Sequence, residues 1–135
     1  MALSITASNV VPGSNASLSQ ATAGEAITAG MPIVVVAGVA YKTNNAGNDR
    51  AGACHGIAAH STLTGQPCNY QSSGDLAVGT SVLTQGAQYY VGNADGEIEE
   101  VGSLSENASI TILGTARDDA TLALDIRVTG IAKAA

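Results

Sequence analysis

The sequence predicts an all-β fold: a small β-barrel or sandwich body built from two related halves, preceded by an extended N-terminal arm. Three observations lead there. From Gly24 onward, short Val/Ile/Thr/Tyr runs alternate with Gly, Asn and Asp turns, and no stretch keeps a helical period. Glycines and apolar positions recur in phase between two parts of the chain. The first 23 residues differ in kind from the rest.

That first segment, "MALSITASNVVPGSNASLSQATA", carries no charge, and Pro12-Gly13 interrupts it. Its sizeable apolar side chains are Leu3, Ile5, Val10, Val11 and Leu18. Ordering a residue costs about 1–2 kcal/mol, and each buried aliphatic side chain returns about 1.5–3 kcal/mol. Five such side chains do not order 23 residues, so the segment is either loose or held by backbone hydrogen bonds to another surface. Residues 1–23 are therefore read as the arm and 24–135 as the body.

Within the body, "PIVVV", "QYYVG", "GEIEEV", "SITILGTA" and "TLALDIRV" are the expected strands. In "TLALDIRV", Leu122, Leu124, Ile126 and Val128 alternate with polar residues and share one face. Asn93 to Glu97, "NADGE", reads as a hairpin loop. Glu97, Glu99 and Glu100 read as its solvated side, and Asp118-Asp119 as a turn before the last strand. Of Tyr89 and Tyr90, one ring is expected to face in and one out. The repeat halves span about 27–71 and 83–128. "ITAGMPIVV" lies over "LTQGAQYYV" at an offset of 56, and beyond the hairpin loop the offset is 58. There Gly56 falls on Gly114 and Ala58 on Ala116; kept to the end, that offset puts Cys54 over Ile112 and Cys68 over Ile126.

Composition narrows the function. There is no Trp or Phe, and 16 glycines accompany many Ala, Val, Ser and Thr, so a core of small side chains gains from burial against a partner. The net charge is −6, and Lys42, Arg50, Arg117, Arg127 and Lys133 are scattered. Nucleic acid and anionic membranes both call for clustered cations, so neither is an expected partner. The N-terminus lacks the basic and apolar regions of a secretory signal, which points to synthesis in a cytoplasm with Cys54 and Cys68 as free thiols.

Cys54, His55, His60 and Cys68 are the one cluster with chemical potential. Zinc would want convergent ligands in close pairs, yet adjacent Cys54 and His55 on a strand point to opposite faces. A Cys-His nucleophile would want an orienting third group and an oxyanion site, and neither is marked. The cysteines read as strand core and His60 as a turn residue. No enzyme activity and no cofactor are expected.

"ITASNVVPGSNA", "GEAITAGMPIVV", "GIAAHSTLTGQPCNY", "GTSVLTQGAQYYVGNADGEIEEV" and "ILGTARDDATLALDI" together resemble tailed-bacteriophage capsid decoration proteins, also called cement or head-stabilising proteins. The resemblance runs over nearly the whole chain and implies a homotrimer on the outer capsid surface of the virion. Its partner would be the major capsid protein, and synthesis would take place in the bacterial host cytoplasm. It implies no catalytic, cofactor or metal residues. On that reading the arm meets the capsid through Leu3, Ile5, Asn9, Val10, Val11 and Leu18, and removing residues 2–23 leaves a folded body that no longer binds shells. The alternatives are a trimeric head-fibre or adhesin-like carbohydrate-binding module and a small Cys- or Zn-dependent enzyme.

Overall fold

The computed structural model describes residues 3–45 and 53–133. Met1 and Ala2 of the expected arm, residues 46–52 with Arg50, and the last two residues of the body lie outside the described residues. Ten strands follow in order: β1 (Val11–Pro12), β2 (Ser17–Ala23), β3 (Pro32–Val36), β4 (Val39–Lys42), β5 (Gly56–Ala58), β6 (Pro67–Ala77), β7 (Gln88–Val91), β8 (Ile98–Glu99), β9 (Ser109–Ala116) and β10 (Thr121–Ala132). Single 3-10 turns at Ala7–Asn9 and Val101–Ser103 complete the regular structure. The all-β prediction holds.

The first half closes on itself. Hydrogen-bonded neighbours run β2-β4-β3-β5-β6, and β6 pairs back to β2. The β2–β4 contact is parallel, Thr22 against Val39 and Ala23 against Ala40, while the other contacts are antiparallel. All five strands supply its interior: Ala21, Ala23, Ile33, Ala40, Ala58 and Cys68, joined by Ile27. A five-stranded ring is narrow, and alanines and one thiol suit its bore.

β6 is long enough to serve both halves. Its first part pairs with β2 and β5; from Ser73 to Ala77 it pairs with β10, with β1 on its other side. Gln71, fully buried at the change of partners, donates from Nε2 to the carbonyls of Ser73 (3.1 Å) and Asp75 (2.8 Å). The second half then runs β6-β10-β9-β7-β8.

The two halves share register at the hairpin and at the strand beside it. Pro32 opposite Ile57 and Ile33 opposite Gly56 become Gln88 opposite Thr115 and Tyr89 opposite Gly114. Val34 opposite Tyr41 and Val35 opposite Ala40 become Tyr90 opposite Glu99 and Val91 opposite Ile98. Gly30 N–H donates to Ala58 O, as Gly86 N–H does to Ala116 O, both at 2.9 Å. Gly30 and Gly86 take φ of 93° and 84°, a region that only glycine enters without strain. One part of the expected alignment needs correction. Ile57 opposite Gln71 and Ala58 opposite Tyr70 correspond to Thr115 opposite Ala123 and Ala116 opposite Leu122. The offset therefore falls to 52 in the last strand, because the loop before β10 is shorter than the loop before β6. Cys68 falls over Ala120, in the turn before β10, not over Ile126.

The N-terminal segment is extended but does not stand apart from the body. β1 and β2 lie along one side of β6, interrupted by a turn at 13–16. Leu3 N–H reaches Ile98 O at 2.9 Å, while Val10 is buried and Leu3, Ile5 and Ala7 pack on the second half's core. The boundary at 23/24 thus falls inside the first ring, and loss of residues 2–23 would remove its closing strand. Backbone hydrogen bonds hold the segment beyond what its apolar burial supplies, and the surface they bond is β6 of the same chain. The second core gathers Leu76, Tyr89, Val91, Ile98, Leu113, Leu122 and Leu124, with Cys54 and Ile57 from the first half.

Candidate binding surface

The six residues expected to touch a partner divide in two. Val10 is buried, and Leu3 and Ile5 are partly buried against the same core, so all three are largely engaged within this fold. Asn9 is exposed, as are Val11 (55 %) and Leu18 (52 %). Only this second group remains presented for contact. In the strand entered by Leu18, Ser17–Ala21 pair with β6 alone, because β4 meets β2 only at Thr22 and Ala23.

A second open edge was missed from sequence. β10 leaves β6 after Asp125, and from there to Ala132 it pairs only with β9. Val128 (56 %) and Ile131 (62 %) are exposed on this stretch. The expected apolar face of "TLALDIRV" ends at Ile126, since a bulge between Leu124 and Arg127 resets the register against β9. The Ile131 N–H is taken by Thr129 Oγ1 at 3.1 Å, but a strand paired on one side only and carrying exposed aliphatics is a template for adding another strand. The "TGIA" continuation was the available signal, hidden by a threonine and a glycine.

The thiols and imidazoles do not converge. Cys54 lies in the second core and Cys68 in the first ring. Burial pushes the Cys54 thiol up to about 12, against weaker opposing bonds to the backbone of Gly56 and Ile33; burial also raises Cys68. His55 Nδ1 accepts the Val35 N–H (3.0 Å) and His60 Nε2 accepts the Asn69 N–H (3.1 Å). Each imidazole therefore spends a lone pair on pinning a strand. Among the described residues no three His, Cys, Asp or Glu side chains come together as metal ligands.

Other expectations are refined. Glu99 is buried, not solvated: its carboxylate accepts the Asn93 N–H at 2.7 Å inside the β7–β8 hairpin. Tyr89 and Tyr90 do point to opposite faces, but both are covered. Tyr89 enters the main core, and Tyr90 packs on Leu104 and Ala108, which cap the outer face. Asp118 makes the expected turn, accepting the N–H groups of Ala120 and Thr121 at 2.8 Å each. These bonds, that to Ala120 first, hold its carboxyl below the usual range. Lys42, Arg117 and Arg127 each lie against a carboxylate, of Glu25, Asp75 and Asp125.

Among the described residues no helix is long and apolar enough to cross a membrane. In comparisons with known proteins, no family model and no curated protein matches this chain.

Proposed function

We propose that the protein is a structural virion component, a tailed-phage capsid decoration protein that binds the outer surface of the assembled shell as a homotrimer and cements it. The observation that carries this reading is the pair of open sheet edges. β2 with Leu18, beside Asn9 and Val11, and the end of β10 with Val128 and Ile131 are paired on one side only and carry exposed aliphatic side chains. Strand addition at such edges draws affinity from the main chain and specificity from a few side chains. The resemblance of the segments quoted above to decoration proteins supplies the partner, the major capsid protein.

The mechanism follows from linkage. A ligand of the assembled shell that ignores free subunits stabilises the shell by its binding free energy. Three copies on one trimer reinforce each other, since after the first engages the others bind at high effective concentration. Cosedimentation with expanded empty heads of the parent phage tests the reading. Saturable binding that raises the heat resistance of the heads is expected, and Leu18→Asp or Val128→Asp should weaken it at least tenfold. Failure of the unaltered protein to cosediment at any concentration would remove the proposal.

A further inference from the structure

We propose that residues 3–12 are an exchangeable closing strand: the slot between β8 and the C-terminal part of β6 accepts this segment from a second copy of the chain, and the protein's oligomers are linked by that exchange. The inference concerns copies of this chain and stands apart from what the assembled protein binds.

The slot arises from a difference between the repeats. In the first half the strand before the hairpin, β2, reaches the hairpin's second strand and closes the ring in parallel. In the second half the corresponding strand is the end of β6, and β8 pairs with β7 alone. Residues 3–12 lie across that gap. Leu3 N–H bonds to Ile98 O at one end, and Val11 and Pro12 pair with Ala77 and Leu76 at the other. Between them, Val10 is buried and Leu3, Ile5 and Ala7 pack on the second core. This is donor-strand complementation within one chain.

Three features make the donor exchangeable. First, the segment brings its own shape: its 3-10 turn is bonded internally, Asn9 N–H to Thr6 O (2.9 Å) and Val10 N–H to Ala7 O (3.2 Å). Second, it seats incompletely, leaving a cavity of about 280 Å³ lined by Leu3, Ile5, Met31, Asp95, Glu97 and Ile98. Third, it is joined to β2 only by the turn at 13–16, laid over β6 by Gly13 N–H to Asp75 O (2.8 Å) and Asp75 N–H to Asn15 Oδ1 (2.9 Å). Opening that turn carries the segment away from its own body, and the same side-chain contacts and the same Leu3–Ile98 bond re-form in a neighbour. Exchange of identical elements costs little because the contacts are unchanged. Donor and slot are different surfaces, so successive donations form a ring where the rotation between copies closes, a trimer being one such closure, and an open chain where it does not.

The test uses the unaltered full-length chain. Chains labelled in Leu and Ile methyls with one isotope are unfolded, mixed with chains carrying a complementary label, and refolded together. Isotope-filtered NOE spectra then separate contacts between chains from contacts within one. Cross-chain NOEs from the methyls of Leu3 and Ile5 to those of Ile98, which lines the same cavity, are the expected result. An oligomer showing those contacts only within chains would overturn the proposal, and so would a monomer at every concentration. Shell binding is read separately, so failure of either proposal leaves the other standing.

Discussion

The first half of the molecule closes through its own backbone, whereas the second, with the same strand order and register, stays open and borrows a segment from the far end of the chain. Side-chain volume explains the difference. At equivalent register positions the first ring holds Ala40 and Ile33, and the second half holds Ile98 and Tyr89, all buried. Two larger side chains thus lie under β7 and β8, where the hairpin does not pair with β6. The space they open is wide enough for Leu3, Ile5 and Val10 to enter. A narrow bore therefore goes with direct closure and a wide one with a donor strand, since interiors are filled to near-crystal density.

The deepest test of the repeat is a glycine found in both halves. A Cβ on Gly56 would lie 2.6 Å from the Gln71 carbonyl oxygen, and one on Gly114 would lie 2.1 Å from that of Ala123. The two carbonyls are themselves equivalent across the repeat, and being backbone they cannot swing aside. Gly114→Ala is expected to cost more than about 4 kcal/mol, in the range of severe core strain, or to prevent folding. Gly56→Ala should act in the same direction with a smaller loss. Urea midpoints measure both, and a Gly114→Ala protein with an unchanged midpoint would break the equivalence.

Exchanging side chains between the halves sharpens the volume argument. Ile98→Ala empties the second core and should cost about 2–5 kcal/mol, as large-to-small changes at buried aliphatic positions do. Ala40→Ile overfills the first ring and should cost about 1–3 kcal/mol. The diagnostic reading is hydrogen exchange rather than total stability. Ala40→Ile should speed exchange at the β2–β4 contact, where the Thr22 and Gly24 N–H groups bond to Gly38 O and Ala40 O, and leave the Leu3 N–H bonded to Ile98 O protected. Uniform loss of protection in both halves would mean that volume does not decide closure.

Much of this architecture was legible in the residues. Strand-and-turn spacing found five of the ten strands, β3 and β7 to β10, and the phase of the glycines found the repeat, because a positive φ or a missing Cβ is a requirement that substitution cannot hide. The alignment drifted at the last strand, since loop lengths leave no trace in an apolar pattern. The role of the N-terminal segment was harder still. Leu3, Ile5 and Val10 look alike whether they meet a foreign shell, a neighbour or their own core, and composition does not say which. Glu99 shows the same limit: its buried carboxylate takes the backbone N–H and the side-chain amide of Asn93, contacts made by the fold and not by the pattern.

The cysteines give the smallest of these tests, and they too separate the two halves. Cys54 sits in the wide core and Cys68 in the narrow ring, and burial raises both thiols, Cys54 to about 12 from an ordinary value of 9.0. Below pH 9 the Cys54 thiol is protonated whether the chain is folded or not, so its burial adds no pH dependence there. As pH rises from 9 toward 12, the unfolded chain releases a proton that the folded chain still holds, and the balance moves toward unfolding. Stability should therefore fall over that window more steeply in the natural protein than in Cys54→Ala, which has no thiol there to ionise. The variant starts lower at pH 7, because a buried side chain has been trimmed, and the gap between the two proteins narrows with alkali. Urea midpoints taken from pH 7 to 11 follow the difference, in which the tyrosines and Cys68 are common to both proteins. A constant gap across the window would mean that water reaches Cys54 in the folded state. The donor segment would then leave the second core wetter than its packing with Leu3, Ile5 and Val10 indicates.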